Sequence, residues 1–397
     1  MPPRNTVLLA ATAALISLTA CSSPAVPTTD ATDDAGTPHG YVEGAAELTE
    51  PQLTIATIDA TGELSLLDLI EESTVAVDAI DGVTGISTDG RFVFASTPHG
   101  VSIVDTGVWT VDHEDHSHYY RAEPAVVGTL DGSGPSTVSG GGSVTAVTFA
   151  DSGESVLLDT ADLGSGRVTE IDRLSAELVV PFGAATLVAA RDTVAVLAEP
   201  DTSIPCIDPQ GTIATRVGVV IGCDGGAVLA TVASDRVSLE AVPYPADTNA
   251  ADRAIELRGR PGRPTVAGVA GTSGFWLLDT RERSWTLVPT DTPLLLVAAA
   301  DDTDGNVVAL DVDGRVLTLD GATGDTLAAT EPLLGETVAD PDMLVGVELT
   351  VDASRAYVNA PTEGAVFEID YADGARVART FDIPTSPLFL VETGRQS

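Results

Sequence analysis

Histidine is concentrated in one short stretch of the chain. Of the five histidines in 397 residues, four lie within twenty positions, namely His99, His113, His116 and His118. Side chains two residues apart project from the same face of an extended segment, so we expect the rings of His116 and His118 side by side. His99 lies in a predicted hairpin turn just before, and we expect the next strand to return the chain toward it. The spacing predicts three or four converging imidazoles.

Acidic residues accompany these histidines, since Asp112, Glu114 and Asp115 flank His113. Imidazole binds zinc, copper, iron and nickel, and a carboxylate can complete a tetrahedral zinc site. A carboxylate that is not a ligand can instead hold the remote ring N–H of a histidine. The stretch has no thiol or methionine, which favours zinc over Cu(I). We therefore predict a zinc site made by the four histidines with Asp112 and Asp115. The alternative is a solvated acidic loop that binds no metal.

The chain has three cysteines, Cys21, Cys206 and Cys223. Exported proteins meet an oxidising environment, so we expect Cys206 and Cys223 to form a disulfide. A pair of free thiols or a soft-metal pair is the alternative, which the lack of a Cys-x-x-Cys spacing disfavours.

The N-terminal residues predict export. Arg4 is followed by an apolar run over residues 7–18, which is shorter than the roughly 20 residues that span a membrane. The Leu-Thr-Ala-Cys ending at Cys21 resembles a bacterial lipobox, in which the cysteine carries lipid. Simple signal-peptide cleavage beside an incidental cysteine is the alternative. The predicted organisation is a lipoprotein signal peptide over 1–20, a disordered acidic tether over 21–50 and a folded domain over 51–397, outside the cytoplasm and lipid-anchored to the bacterial cell membrane.

One short pattern repeats through the folded domain: a turn, then a strand that ends in an apolar residue followed by an acid. Clear copies are Gly62–Asp68, Gly100–Asp105, Gly274–Asp279, Gly314–Asp320 and Gly364–Asp370, and looser copies end at Asp159, Glu199 and Glu240. The terminal acids are 37 to 54 residues apart. A period near 40–50 residues is typical of four-stranded propeller blades. We predict an all-β fold, a β-propeller of seven or eight blades closed by a strand near 387–392. A pair of β-sandwiches is the alternative.

The composition excludes several classes of function. The formal net charge is −40, with 59 acidic residues against 19 arginines and no lysine, so a nucleic-acid partner is not expected. The sequence has neither a Gly-x-Ser-x-Gly nucleophile turn nor a His-Glu-x-x-His zinc motif. We therefore predict that the protein is not an enzyme.

The stretch from His99 to Pro124, with its run Asp-His-Glu-Asp-His-Ser-His-Tyr-Tyr-Arg, resembles the AztD-type zinc metallochaperones. Proteins of that family are exported propellers that accompany an ABC zinc importer and hand zinc to its solute-binding protein. The resemblance implies zinc as cargo and such a solute-binding protein as partner. Two features depart from the family: position 210 is Gln where a further histidine is expected, and His39 is the only histidine of the N-terminal segment. A second zinc site is therefore not predicted.

Three hypotheses of function follow. The first is a lipoprotein that stores zinc and delivers it to the importer. The second is a metal-independent propeller lipoprotein that acts as an interaction scaffold in the cell envelope. The third is a zinc hydrolase, for which Glu114 or Asp115 would supply the general base.

Overall fold

The structure is a computed structural model that describes residues 42–395, except 114, 115, 235 and 384. The predicted signal peptide and Cys21 lie outside the described residues. Within the described part of the chain, no helix is long and apolar enough to cross a membrane.

Strands make up most of the described chain. In chain order, the first seventeen are β1 Ala46–Leu48, β2 Thr54–Ile58, β3 Leu64–Asp68, β4 Thr74–Val77, β5 Gly85–Thr88, β6 Phe92–Thr97, β7 Gly100–Asp105, β8 Val108–Asp112, β9 Ser117–Arg121, β10 Ala125–Asp131, β11 Ser136–Gly141, β12 Val144–Phe149, β13 Glu154–Asp159, β14 Glu170–Ser175, β15 Leu178–Phe182, β16 Ala185–Ala190 and β17 Thr193–Val196.

The second half of the chain has the same character. Its strands are β18 Glu199–Pro205, β19 Gln210–Ala214, β20 Val219–Cys223, β21 Gly226–Ala233, β22 Arg236–Pro243, β23 Thr265–Val269, β24 Gly274–Asp279, β25 Ser284–Pro289, β26 Leu294–Ala299, β27 Asn306–Asp311, β28 Val316–Asp320, β29 Thr326–Ala329, β30 Leu349–Val351, β31 Ala356–Ala360, β32 Ala365–Asp370, β33 Arg376–Asp382 and β34 Phe389–Thr393. The short helices are α1 Thr160–Gly164, α2 Pro341–Leu344 and a 3-10 turn at Ala250–Asp252.

These strands form a β-propeller, as predicted. Over the described residues, eight antiparallel sheets are its blades, in the order β34-β2-β3-β4, β5-β6-β7-β10, β11 to β14, β15 to β18, β19 to β22, β23 to β25, β26 to β29 and β30 to β33. The ring closes where the last strand, β34, pairs with β2 in the first blade, which confirms the predicted closing strand. The repeat therefore corresponds to eight blades.

The first strand of each blade lies nearest the central channel, because the first strands of neighbouring blades contact one another, for example β34 with β5 and β5 with β11. We call the face that carries the turns after these first strands the upper face. The next turn of each blade, between its second and third strands, lies on the opposite, lower face. In the sixth blade the first strand is reduced to two isolated bridges, from Arg258 to Ala267 and from Gly259 to Ala299.

The prediction that strands end at Glu199 and Glu240 is wrong, because Glu199 begins β18 and Glu240 lies inside β22. In the clearer copies, the terminal aspartate has a local structural role. The Asp68 carboxylate accepts hydrogen bonds from the backbone N–H groups of Ile70 and Glu71, and Asp320 accepts from Ala322 and Thr323 in the same way. A short carboxylate that caps its own turn explains why the repeat ends in aspartate.

The hydrophobic core lies between the blades. Strands such as β2 and β3 are buried along their whole length, because each blade has neighbours on both of its faces. One cluster joins Ile58 and Leu64 of the first blade to Val93 and Val104 of the second. Continuous burial of this kind explains the unbroken apolar runs in the repeat.

The ninth sheet, β1-β9-β8, is not a blade. Its strand β1 comes from the segment 21–50 for which we predicted a disordered tether. That prediction is wrong for Ala46–Leu48, since these residues pair with Arg121, Tyr120 and Tyr119 of β9. The backbone groups of these residues pair with the edge of β9, a long-range contact that the composition of the segment does not predict. Residues 21–41 lie outside the described part of the chain.

Candidate metal centre

The histidine-rich stretch forms an insertion in the second blade. The chain leaves the blade after β7, forms the hairpin β8–β9 and returns to the blade as β10. The hairpin pairs Val111 with His118 and Asp112 with Ser117, so the histidines lie at its tip. We call the sheet β1-β9-β8 the insertion sheet.

Aromatic and ionic contacts fix the insertion sheet to the upper face. The Trp109 ring stacks on Tyr120 at 5.0 Å, and the Arg91 guanidinium lies 3.7 Å above Trp109. Arg91 is held by the Asp105 carboxylate at 2.6 Å, while the Thr110 hydroxyl donates to a backbone carbonyl beyond β34 at 2.8 Å. A planar guanidinium held between an indole and a carboxylate has a fixed orientation, so Arg91 holds Trp109 and the insertion sheet in place.

A second anchor lies at the base of the hairpin. The Arg121 guanidinium donates to the Gln52 side-chain oxygen at 2.6 Å and to the Asp68 carboxylate. Burial raises the pKa of Asp68, but the donors Glu71 N–H, Ile70 N–H and Arg121 outweigh it, so its pKa lies below the usual value. The anchor is therefore an ion pair at neutral pH.

Three histidines converge at the tip. The ring centres of His113 and His116 are 5.3 Å apart, those of His113 and His118 are 5.2 Å apart, and those of His116 and His118 are 4.8 Å apart. The Nε2 atoms of His116 and His118 are separated by 3.1 Å. A backbone hydrogen bond from His113 N–H to the His116 carbonyl, at 2.9 Å, closes the turn that holds the rings together.

Glu47 determines the tautomer of His118, the buried histidine of the cluster. His118 is only 7% exposed, and its Nδ1 atom lies 2.6 Å from the Glu47 carboxylate. A carboxylate only accepts, so the N–H of His118 is on Nδ1 and the lone pair of the neutral ring is on Nε2. His118 Nε2 thus faces His116 as an acceptor, which is the tautomer that binds a metal through Nε2.

The separation of the two Nε2 atoms is close to that of two ligands of one zinc ion. Two ligands about 2.0–2.1 Å from a tetrahedral zinc ion are about 3.3 Å apart, close to the 3.1 Å between the two Nε2 atoms. Among the described residues, which lack Glu114 and Asp115, no group of three or more His, Cys, Asp or Glu side chains is arranged to hold a metal ion. The geometry therefore provides two imidazole nitrogens at nearly chelating separation and a third ring beside them.

The other predicted ligands are placed differently. His99 is exposed in the turn between β6 and β7, on the lower face, beside Asp78, Asp81 and Asp131. Strand β7 separates it from the insertion, so the structure does not bring His99 to the other three histidines. Asp112 ends β8 and is exposed at the base of the histidine turn, while Asp115 lies outside the described residues.

The two cysteines of the folded domain form a disulfide, as predicted. Cys206 follows β18 of the fourth blade and Cys223 ends β20 of the fifth, so the bond joins two neighbouring blades. Both sulfur atoms are in the bond, and neither cysteine belongs to the insertion sheet.

Fold and site together define an eight-bladed propeller with a histidine-bearing insertion sheet on one face. AztD from Citrobacter koseri has this fold, with a TM-score of 0.68 and 18% identity over 87% of this chain and 98% of that one. Apo AztD from the same organism gives the same values. The dihydro-heme d1 dehydrogenase NirN in complex with DHE is more distant, with a TM-score of 0.54 and 15% identity over 87% of this chain and 76% of that one. No protein-family model and no curated protein sequence matches the chain.

Proposed function

We propose that this protein is an extracytoplasmic zinc metallochaperone that stores zinc and transfers it to the solute-binding protein of an ABC zinc importer. The observation that carries the proposal is the convergence of His113, His116 and His118, with Glu47 contacting Nδ1 of His118. The fold shared with AztD and the resemblance of residues 99–124 to AztD-type metallochaperones support it.

The exposure of the site suits transfer. His113 and His116 are exposed at the hairpin tip, whereas His118 is buried against the sheet. A partner can therefore reach two rings while the third keeps the ion in place. The chain has the ligand chemistry of a zinc-binding protein, and we propose binding and transfer rather than hydrolysis.

The test is zinc binding by equilibrium dialysis. Changing both His116→Ala and His118→Ala should lower zinc affinity at least 100-fold and leave the β-type circular dichroism spectrum unchanged. His99→Ala is the matched control, because that ring lies on the opposite face and should not matter. The Cys206→Ser, Cys223→Ser variant should also keep its zinc, since the disulfide is in the fourth and fifth blades. Stoichiometric zinc in the double-alanine variant would refute the site, and a wild-type protein that binds no zinc would favour the scaffold hypothesis.

We also propose that Cys21 carries lipid and holds the protein at the bacterial cell membrane. The lipobox-like sequence supports this, and the Cys206–Cys223 bond fits an oxidising compartment. Membrane fractionation is the test: Cys21→Ser should move the protein to the soluble fraction or leave an unprocessed precursor, and unchanged fractionation would contradict lipidation.

A further inference from the structure

The central channel opens on the upper face into a cavity of about 880 Å³, beside the insertion sheet. Turns from several blades line it, and Tyr119 and Thr110 of the insertion sheet form part of its wall. Three arginines line the same cavity: Arg216, Arg260 and Arg395. They come from the turn after β19, from the reduced first strand of the sixth blade and from the residues after β34.

Two of these guanidinium groups have no carboxylate partner among the residues that the structure describes. Over the described residues, the side chains of Arg216 and Arg260 make no ion pair within 4.0 Å and no hydrogen bond, although acids outnumber arginines about three to one in the chain. Arg260 is half-buried, so its charge is only partly solvated. Two cations that face one cavity and make no direct ion pair with a described residue favour the entry of an anion.

Within the described residues, the carboxylates in the wall make no ion pair with Arg216 or Arg260. Asp89 accepts hydrogen bonds from the N–H groups of Arg91 and Phe92 and from the Thr145 hydroxyl. Asp352 accepts from the N–H groups of the two residues that follow Ala353. Both acids therefore close their own turns. Of the three cavity arginines, only Arg395 forms an ion pair with another described residue, Glu392, at 2.6 Å.

Hydroxyl groups complete the lining. The Ser139 and Thr212 hydroxyls approach to 3.3 Å, although they come from the third and fifth blades. Guanidinium and hydroxyl groups are the donors that bind carboxylate and phosphate oxygens. The cavity volume is within the range of small-molecule sites.

We infer that the upper channel mouth is a binding site for a small organic anion that carries two or more carboxylate or phosphate groups, held by Arg216 and Arg260. The net charge of −40 favours a small anion over an acidic polypeptide or a nucleic acid, because the repulsion grows with the charge and length of the ligand. This inference goes beyond the proposed function and does not require that zinc is bound.

Isothermal titration calorimetry of the metal-free, mature protein with citrate and with pyrophosphate tests the inference. The wild-type protein should bind at least one of them saturably, and more weakly as salt is raised. The Arg216→Gln, Arg260→Gln variant should bind at least tenfold more weakly. Arg216→Gln alone, at an exposed position, should lose at least threefold, which keeps the test valid if the double variant folds poorly.

Arg191 and Arg315 provide the matched control. Both are exposed, carry no ion pair in the described chain and lie in turns between the second and third strands of their blades, on the lower face. Arg191→Gln with Arg315→Gln makes the same change in net charge and should leave anion affinity within twofold.

Several outcomes would overturn the inference. These are no saturable binding to either anion, an equal loss in the two arginine double variants, or binding only of an acidic peptide used as a third probe. The His116→Ala, His118→Ala variant should keep the anion affinity. Loss of citrate binding in that variant would place the anion at the histidines and also overturn the inference, whatever the outcome of the zinc experiments.

Discussion

Glu47 is the residue on which the chemistry of the histidine cluster depends most directly. Its carboxylate, 2.6 Å from His118 Nδ1, fixes the tautomer of a ring that is almost completely buried. Groups that hydrogen-bond the second ring nitrogen of a metal-binding histidine typically contribute 10- to 100-fold to metal affinity.

Glu47→Gln should therefore weaken zinc binding about 10- to 100-fold, because an amide oxygen holds the His118 N–H less strongly than a carboxylate. Competition with a chelating dye measures this. Glu43→Gln is the control: Glu43 is exposed in the same segment and should leave the affinity unchanged. Equal affinities in the wild-type protein and Glu47→Gln would show that the carboxylate does not position the ring.

Sequence reasoning identified the histidines but not Glu47. The pair His116 and His118 was predictable because a two-residue spacing on a strand is a local property. Glu47 is 71 residues from His118 and lies in a segment rich in Ser, Pro, Thr and Asp. The contact exists only because β1 pairs with β9, and a three-residue strand has no periodicity to detect.

At the scale of elements, the insertion sheet depends on a few anchors to the propeller. Asp68 ends β3, while Arg121 ends β9, so their ion pair joins a blade to the insertion sheet. The pKa of Asp68 is lowered in the folded protein. A lowered carboxyl pKa contributes stability above the unfolded-state value of about 4, and this stability is lost as pH falls through the folded-state value.

Asp68→Asn should lower the free energy of unfolding by about 1–2 kcal/mol at pH 7, because it removes a charge-assisted partner of Arg121. The difference from the wild-type protein should shrink as pH falls below about 4, because the wild-type carboxylate becomes protonated while the amide of the variant does not titrate. Denaturant unfolding at pH 7 and near pH 3 measures this. The control is Glu71→Gln, at an exposed neighbouring carboxylate. A difference that stays constant with pH would contradict the ion-pair explanation.

The hairpin pattern predicted the turn that carries His99 but not the face of the blade on which this turn lies. Successive turns of an antiparallel blade lie on opposite faces. The six residues of β7 span roughly 20 Å between His99 and the start of the insertion. His99 is therefore near the insertion in sequence but far from it in space. The tight turn between His113 and His116, in contrast, keeps those two rings together.

In the molecule as a whole, the repeat predicted the propeller because the turn and strand residues of each copy lie close together in the sequence. Over the described residues, six of the eight blades contain a strand that ends at the aspartate of the repeat, and Asp68 and Asp320 cap their own turns. The blade count stayed between seven and eight because two steps of the repeat, of 37 and 54 residues, are irregular. The longer step, from Asp105 to Asp159, contains the insertion. The arginines at the channel mouth were not predicted, since only closure of the ring brings the first, fifth and sixth blades around one cavity.

The boundary between the tether and the folded domain can be located by deletion. The segment 21–50, for which we predicted a disordered tether, contains β1 and Glu47. Deletion of residues 22–41 should therefore keep the wild-type zinc affinity, whereas deletion of residues 22–50 should weaken it at least tenfold, because His118 loses its carboxylate and β9 loses its partner strand. Equilibrium dialysis of the two truncated proteins, with circular dichroism to check folding, measures the difference. If both deletions bind zinc as the full-length protein does, β1 has no part in the metal centre. If the shorter deletion already abolishes binding, the ligands include residues upstream of Val42.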